Sequence, residues 1–291
     1  MRLLDFGSLN IDHTYHLSHF VRAGETLSCE DYSRSEGGKG LNQAVALAKA
    51  GLKVEMAGAI GRDGQFLLKI LQEAGVGTSL VRELDCQTGH ALIQVDAQGA
   101  NCIIINSGAN GRITEYMIDE TLTLFQPGDY VLLQNEISGV AEIMIRARRR
   151  GMKVILNPSP VSENMKEWPM ELVDWFLINE IEGADLTNST DPETILDRLL
   201  ARYPESRIVL TLGEKGAFYA DGARRVYQPA VPVKAIDTTA AGDTFTGYFL
   251  ASILSGKDVE EALKRAAIAA SVAISRRGAS QSVPYASELQ M

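Results

Sequence analysis

Residues 237–245 read Asp-Thr-Thr-Ala-Ala-Gly-Asp-Thr-Phe, and an apolar, helix-like pattern continues from there to about Leu254. A loop of small residues directly before a helix lets several backbone N–H groups point at one ligand, and the helix dipole there favours an anion. Phosphoryl transfer requires a preorganised loop of this kind, because negative charge spreads over the transferred group. The segment therefore favours a phosphate-binding loop at a helix start.

Asp243 lies at the start of that helix, where its carboxylate can face the same loop. A carboxylate within hydrogen-bond reach of a substrate hydroxyl can take its proton while the oxygen attacks. The alternative is that Asp243 only caps the helix, since aspartate is a common cap residue. The residue alone leaves both interpretations open.

Apolar runs of strand length alternate with helical patterns on the N-terminal side of this segment. The strand-like runs are Arg2–Gly7, Val54–Ala59, Tyr130–Leu133, Val154–Leu156, Trp175–Ile178 and Ile208–Leu212. The helical patterns are Leu41–Ala50, Gln65–Ala74, Glu115–Phe125, Val140–Arg150 and, beyond residue 254, Val259–Ser275. Such alternation predicts one α/β domain over residues 1–291, a three-layer α/β/α sandwich with a mostly parallel central sheet.

Two stretches break this alternation. Residues from about 13 to 36 show no helical period, and Gly89–Val95 and Cys102–Asn106 flank a turn-like segment, which predicts a β-hairpin. We expect segments 13–36 and 89–106 to form a small β-sheet beside the main one. Since ligands bind at the carboxyl edge of a parallel sheet, such a β-sheet can serve as a lid. Ordinary edge strands are the alternative.

Composition limits the classes of partner and compartment. The net charge of −9 argues against a nucleic-acid partner, which requires a basic surface. Three widely spaced cysteines indicate reduced thiols rather than a disulfide or zinc framework. Asp5 interrupts the first apolar residues, and no apolar run approaches the length of a membrane span. We therefore expect a soluble, cytoplasmic protein without a membrane partner.

Two further motifs suit the hydroxyls of a small molecule. Residues 36–44 read Glu-Gly-Gly-Lys-Gly-Leu-Asn-Gln-Ala, so the backbone can approach a ligand closely while Lys39 and Asn42 offer donors. The spacing is not that of a Walker A loop. Asn10 and Asp12 stand two apart, so in an extended chain they point the same way, as vicinal hydroxyls require. A plain helix entry and an Asx turn are the alternatives.

Two motifs follow strands farther along the chain. Asn179 and Glu182 are three apart and share one face of a helical turn, which suits Mg²⁺ with retained waters; an acidic helix start is the alternative. The glycine-rich segment Thr211–Gly216 can line a nucleotide site, or form only a turn.

Together these five segments, in this order and spacing, resemble the ribokinase branch of the PfkB-type carbohydrate kinases from Gly7 to about Pro284. The resemblance implies transfer of the γ-phosphoryl group of ATP to the primary hydroxyl of a small sugar, with ribose as the first candidate. Deoxyribose, a ketohexose or a nucleoside are alternative acceptors. A sugar-binding protein without catalytic activity is the alternative of another class. The resemblance also implies Mg²⁺, K⁺ as activator, and a homodimer formed through the β lid.

The resemblance assigns roles to matching residues. Asp243 is the expected base, and the expected anion hole is formed by Ala240, Ala241 and Gly242. The expected sugar-binding set is Asn10, Asp12, Gly38, Lys39, Gly40, Asn42 and Glu136, together with Asp243. The expected ATP-binding set is Asn179, Thr211, Leu212, Gly213, Glu214, Lys215, Gly216 and Gly242. Mg²⁺ is expected through water at Asn179 and Glu182, and K⁺ mostly at backbone carbonyls of Asp237, Thr239, Ala273, Arg276, Gly278 and Ser282.

Overall fold

Thirteen strands form two sheets in the computed structural model, which describes residues 1–289. In chain order they are β1 (Leu3–Phe6), β2 (Asn10–His16), β3 (Asp31–Gly37), β4 (Val54–Ile60), β5 (Gly77–Glu83), β6 (Gly89–Val95), β7 (Asn101–Asn106), β8 (Tyr130–Gln134), β9 (Lys153–Asn157), β10 (Trp175–Asn179), β11 (Arg207–Thr211), β12 (Ala217–Ala220) and β13 (Arg225–Gln228). The main sheet has the order β13-β12-β11-β10-β9-β8-β1-β4-β5, and the small sheet has the order β3-β2-β6-β7.

The main sheet is parallel from β11 to β5, while β12 pairs antiparallel with β11 and β13 pairs antiparallel with β12. The carboxyl ends of the parallel strands therefore meet at one edge of the sheet. The residues at the ends of β1, β8, β9, β10 and β11 are Phe6, Gln134, Asn157, Asn179 and Thr211. In open α/β sheets this edge is where ligands bind.

Helices cover both faces of the main sheet. They are α1 (Lys39–Lys49), α2 (Gln65–Glu73), α3 (Glu115–Leu122), α4 (Val140–Arg149), α5 (Glu180–Thr187), α6 (Pro192–Arg202), α7 (Ala241–Leu254) and α8 (Val259–Ile274). One buried apolar cluster contains residues of α1, α2, α7 and α8, and a second contains residues of α3, α4 and α6. Leu3 belongs to the first cluster and Leu4 to the second, because neighbouring strand residues point to opposite faces. The predicted three-layer fold is confirmed.

The predicted small β-sheet is also confirmed, and it begins slightly earlier than expected. β6 and β7 pair as the predicted antiparallel hairpin, and β2 joins them in parallel through β6. Asp96 Oδ1 accepts hydrogen bonds from the backbone N–H groups of Gln98 and Ala100, both at 2.9 Å, which closes the hairpin turn. β2 starts at Asn10 because the chain leaves the main sheet after Phe6 and enters the small sheet within three residues.

The sequence patterns did not predict every element. Strand β5, helix α6 and the β12–β13 hairpin were missed. Helix α6 carries a recognisable start, since Asp191 Oδ2 accepts from Thr194 N at 2.9 Å and Pro192 follows the cap. The predicted helices are confirmed, with ends that differ by up to three residues. Within residues 1–289, no helix is both long and apolar enough to cross a membrane.

Candidate active site

The start of α7 forms a backbone cradle at the carboxyl edge of the main sheet. Ala240, which precedes the helix, has φ 57° and ψ 14°, a left-handed conformation that is uncommon for a residue other than glycine. The first N–H groups of a helix have no partner within it, so those of Gly242 and Asp243 are available to a ligand. A Cβ atom on Gly242 would meet no atom within 4 Å, which shows open space beside the loop.

A cleft of about 250 Å³ opens beside this cradle. It contains residues from α1, the ends of three parallel strands, α5 and α7. Its lining is Lys39, Asn157, Leu177, Ile178, Asn179, Glu182, Val209, Thr211, Thr238, Ala240, Ala241, Gly242, Asp243, Phe245 and Thr246. Four of the five sequence motifs therefore meet or adjoin one cleft, and the remaining motif, at Asn10 and Asp12, lies next to the glycine-rich loop.

Asp243 is not a simple helix cap. The cap position is Ala240, and Asp243 is the third residue of α7. Its side chain is 8% exposed and accepts hydrogen bonds from two amides of α1: Gln43 Nε2 to Oδ1 at 2.8 Å and Asn42 Nδ2 to Oδ2 at 3.2 Å. The carboxylate is thus held at the cleft by side chains instead of by its own helix. This arrangement is open to a reacting hydroxyl.

The glycine-rich loop before α1 lies against the end of β1. Gly38 has φ 94°, and a Cβ atom there would lie 2.9 Å from the carbonyl oxygen of Ser8. A Cβ atom on Gly40 would lie 2.5 Å from Ser8 N, so both positions require glycine. Glu136 Oε2 accepts hydrogen bonds from Lys39 N at 3.0 Å and Ser8 Oγ at 2.5 Å. Glu136 thereby connects the loops that follow β1 and β8 with the start of α1.

Lys39 supplies positive charge inside a protein that is negative overall. Burial lowers the pKa of Lys39, but Asp243, Glu136 and Glu182 together raise it above its ordinary value. The side chain therefore carries an ammonium group in the cleft at neutral pH. A cation there is the local positive potential that a polyphosphate needs.

Asn10 and Asp12 lie on β2, next to the loop at Gly37 and Gly38. Asn10 is buried, and its Oδ1 accepts from Asn110 Nδ2 at 2.7 Å, so Asn110 orients it. Burial, followed by the charges of Glu136 and Glu36, raises the pKa of Asp12 to about 7. Three carboxyl groups thus lie close together at the base of the small sheet, which favours a ligand that can donate hydrogen bonds.

Asn179 and Glu182 cap α5 at the cleft. Asn179 Oδ1 accepts from Glu182 N at 2.8 Å, while Glu182 Oε2 accepts from Asn179 N and Oε1 from Asn179 Nδ2, both at 3.0 Å. Both carboxylate oxygens of Glu182 already accept hydrogen bonds. The pair is therefore better suited to hold a metal ion through water than to bind it directly. That fits the expectation of a hydrated divalent cation.

The Thr211–Gly216 segment is a tight turn between β11 and β12. Thr211 lines the cleft, and Gly213–Lys215 form a 3₁₀ turn. The Leu212 side chain packs in the core, so only its backbone is available to a nucleotide. The glycine at 216 has φ 93°, and a Cβ atom there would lie 2.1 Å from the carbonyl oxygen of Gln228.

Asp237, the first of the residues expected to hold K⁺, is hydrogen-bonded to two others of that set, Thr239 and Gly278. Asp237 Oδ1 accepts from Thr239 N at 2.9 Å and Oδ2 from Gly278 N at 3.0 Å. Burial raises the pKa of Asp237, but these hydrogen bonds outweigh it and leave the pKa below its ordinary value. The Ala273 carbonyl oxygen accepts from Arg276 N at 3.0 Å, and Ser282 Oγ donates to the Ala279 carbonyl oxygen at 2.8 Å. An ionised carboxylate that holds the backbones at Thr239 and Gly278 suits the neighbourhood of a hard monovalent cation.

Sequence reasoning missed several residues of the site. Gln43 stands inside the quoted glycine-rich motif, yet its contact with Asp243 spans 200 residues and has no local signal. Asn157, Thr238 and Thr246 also line the cleft. Asn157 was detectable, because it is a polar residue at the end of a buried strand.

A helix start with free backbone N–H groups, a carboxylate beside it and a lysine in the same cleft of an α/β/α fold suit a kinase that acts on a small molecule. A family model described as pfkB family carbohydrate kinase matches residues 2–286. The chain therefore belongs to the pfkB family of carbohydrate kinases. It is 33% identical over 291 residues to the ribokinase of Haemophilus influenzae, an alignment that covers 97% of this chain and 95% of that protein.

Two solved structures are similar over almost the whole chain. The ribokinase of Cryptococcus neoformans in complex with ADP matches with a TM-score of 0.86 and 33% identity, covering 99% of this chain and 98% of that one. The Arabidopsis thaliana ribokinase complexed with ribose and ATP matches with a TM-score of 0.84 and 29% identity, covering 99% and 97%. These proteins share the fold of this one and align with it over nearly their whole length.

Proposed function

We propose that this pfkB-family chain is an ATP-dependent ribose kinase that forms ribose 5-phosphate and ADP. The observation that carries the proposal is the position of Asp243, whose carboxylate shares one cleft with the Ala240–Gly242 backbone loop and with Lys39. The relatives named above are ribokinases, so deoxyribose, ketohexoses and nucleosides are not favoured as acceptors. A protein that only binds sugar is not favoured either, since the base and the anion loop are both present.

The sugar site is proposed at the junction of the glycine-rich loop and β2. Asn42 Oδ1 is buried and has no hydrogen-bond partner within residues 1–289, so a sugar hydroxyl supplies the donor that it needs. Asp12 and Glu136 accept hydrogen bonds from further sugar hydroxyls, while Asn10 and the ammonium of Lys39 donate hydrogen bonds to the sugar. The backbone at Gly38 and Gly40 lets the ring approach closely.

The reaction proceeds by in-line displacement. Asp243 removes the proton from the primary hydroxyl as that oxygen attacks the γ-phosphorus; the bond between this phosphorus and the β–γ bridging oxygen breaks, and ADP leaves with its electron pair. The N–H groups of the Ala240–Gly242 loop and the Lys39 ammonium stabilise the charge on the transferred group. The segments at Asn179 and Thr211–Gly216 hold the nucleotide beside it.

Two cations fit the side chains present. Asn179 and Glu182 would hold Mg²⁺ through water, and this ion would neutralise charge on the phosphates. The groups at Asp237, Thr239, Ala273, Arg276, Gly278 and Ser282 would hold K⁺, which would fix the backbone next to the cradle. Asp237 supports the second assignment, since its carboxylate already holds the backbones at 239 and 278 together.

The small sheet is proposed to act as a lid and as a dimer interface. Strand β7 is an edge strand of this sheet, and three consecutive apolar side chains on it, Ile103, Ile104 and Ile105, are 51%, 58% and 52% exposed. An exposed apolar edge strand is a template for pairing with another chain. A second copy of the protein covers that edge and stabilises the lid next to the sugar.

A coupled assay of ADP release tests the proposal across ribose, deoxyribose, fructose and adenosine, with and without KCl. We expect the highest kcat/KM with ribose and an increase on adding K⁺. Turnover that is faster with a nucleoside or ketohexose would contradict the ribose assignment. Ribose binding by calorimetry without any ADP release would instead indicate a sugar-binding protein.

A further inference from the structure

A chain of hydrogen-bonded side chains runs through the core from β1 to the cleft. Gln134 Nε2 donates to Asp5 Oδ1 at 3.0 Å and to Gln43 Oε1 at 2.9 Å, and Gln43 Nε2 donates to Asp243 Oδ1 at 2.8 Å. Asp5, Gln134 and Gln43 are all completely buried. Since buried polar groups are costly unless their partners are well placed, this chain calls for a role beyond packing.

The hydrogen-bond partners of the Gln43 and Gln134 side chains leave each side-chain amide with a single favourable orientation. The two N–H bonds of Gln43 point at Asp243 Oδ1 and, at 2.9 Å, at Asn157 Oδ1, while its oxygen accepts from Gln134. Rotating the Gln43 amide by half a turn would bring its carbonyl oxygen against the Asp243 carboxylate, which is repulsive. Gln134 likewise uses both N–H bonds, one on Gln43 and one on Asp5.

The Asp5 end of this series of hydrogen-bonded side chains has more acceptors than donors. Asp5 Oδ2 and Gln134 Oε1 have no hydrogen-bond partner within residues 1–289. Burial raises the pKa of Asp5 well above its ordinary value; the hydrogen bond from Gln134 opposes this shift, and the charge of Asp243 adds to it. A neutral Asp5 carries an O–H group and so brings one donor to a region with two unpartnered oxygens. It also avoids a second negative charge in the core behind Asp243.

We propose that Gln43 is the positioning residue of Asp243, and that Asp5, acting through Gln134, fixes the direction in which Gln43 donates. The inference rests on the proposed function, in which Asp243 is the base. By holding Oδ1, Gln43 stabilises the ionised carboxylate and keeps it turned toward the sugar. The ionisable groups that face Asp243 are Lys39 from the start of α1, Asp5 from β1 and Glu182 across the cleft on α5.

The pH dependence of kcat and kcat/KM for ribose tests the role of Gln43 in the full-length protein. We expect Gln43→Leu to lower kcat on the order of 10- to 100-fold, the effect of a lost hydrogen bond to a charged group. Because the ionised carboxylate loses a donor, the acid limb of the profile moves to higher pH by about one unit or more. The KM for ribose changes much less than kcat.

A second variant and a matched control complete the design. Gln43→Glu keeps the shape of the side chain but brings a carboxyl group to Asp243, so the acid limb moves in the same direction even if Gln43→Leu fails to fold. Ser206→Ala removes a buried hydrogen bond to the Val173 carbonyl oxygen, remote from the cleft, and keeps the profile of the unmodified protein while lowering stability. Gln43 variants that fold and keep the original profile would overturn the role of Gln43.

Infrared spectroscopy tests the proposed state of Asp5. A protonated-carboxyl band at pH 7 that is lost in Asp5→Asn supports a neutral Asp5, whereas identical carboxyl bands in the unmodified protein and Asp5→Asn would overturn a neutral Asp5. The variant Asp243→Asn distinguishes a failure of the proposed function from a failure of the role proposed for Gln43. If Asp243→Asn turns over like the unmodified protein, the proposed function fails. If Asp243→Asn is inactive while both Gln43 variants keep the pH profile of the unmodified protein, only the role proposed for Gln43 fails.

Discussion

The raised pKa of Asp12 predicts that this residue lowers the stability of the protein at pH 8 although it contributes to sugar binding. Burial and the nearby charges of Glu136 and Glu36 raise its pKa from 3.8 to about 7. The folded state therefore binds this proton more tightly than the unfolded state, and the resulting stability is complete below about pH 3.8 and is lost as the pH rises through about 7. At pH 8 the protein carries an ionised Asp12 that its surroundings disfavour.

The size of the effect follows from the shift. A pKa shift of about three units, at about 1.4 kcal/mol per unit, gives an upper bound of about 4 kcal/mol for the loss of stability. Relaxation of a partly exposed site lowers this loss to about 2–3 kcal/mol. Asp12→Asn removes the charge, so we expect it to stabilise the protein at pH 8 by that amount. Near pH 4 both side chains are neutral, and the difference between the two proteins vanishes.

Urea denaturation of both proteins between pH 4.5 and 8 measures this difference. The matched control is Asp191→Asn, because the pKa of Asp191, the cap of α6, is lowered by its hydrogen bonds from Thr194. The effect of Asp191→Asn on the free energy of unfolding is therefore constant above about pH 5. A free energy difference for Asp12→Asn that stays the same from pH 5 to pH 8 would refute the reasoning. We also expect weaker ribose binding by Asp12→Asn in calorimetry, since an acceptor for a sugar hydroxyl is lost.

Three further predictions concern the loop, the cation site and the lid. Gly38→Ala introduces a Cβ atom 2.9 Å from a carbonyl oxygen at φ 94° and should cost about 1–3 kcal/mol in thermal denaturation, whereas Gly222→Ala should be nearly neutral; equal effects would contradict the close approach. Asp237→Asn should abolish stimulation by K⁺ while leaving activity without K⁺ little changed, and a variant that K⁺ still activates would reject the site. Ile104→Lys should shift the protein from dimer to monomer in light scattering, while Leu124→Lys, which is similarly exposed elsewhere, should not; a monomeric unmodified protein would contradict the interface.

Local sequence signals predicted most of the fold. Alternating strand and helix patterns predicted the three layers, and the turn after β6 predicted the hairpin of the small sheet. Strand β5 and the β12–β13 hairpin, which were missed, lie at the two edges of the main sheet. Their residues carry weaker periodicity, because edge elements bury less apolar surface than central ones.

The candidate site was predictable where its residues adjoin a glycine turn or the end of a strand. Lys39, Asn42 and the Ala240–Asp243 segment belong to such local motifs, and the structure brings them to one cleft. Gln43 and Gln134 were not predictable, because a glutamine inside a helix or strand gives no sign of its distant partner. Their contacts exist only after β1, β8, α1 and α7 have packed together. The roles of the individual site residues remain predictions until variants are measured.

The most direct test of the account compares chemistry and binding in Asp243→Asn. Single-turnover phosphorylation of ribose measures the chemical step, and calorimetry measures ribose affinity in the same protein. We predict a loss in the chemical step of about 100- to 10,000-fold, the usual contribution of a general base, with ribose affinity within a few-fold of the unmodified protein. A variant that phosphorylates ribose at nearly the original rate would contradict the assignment of Asp243 as the base.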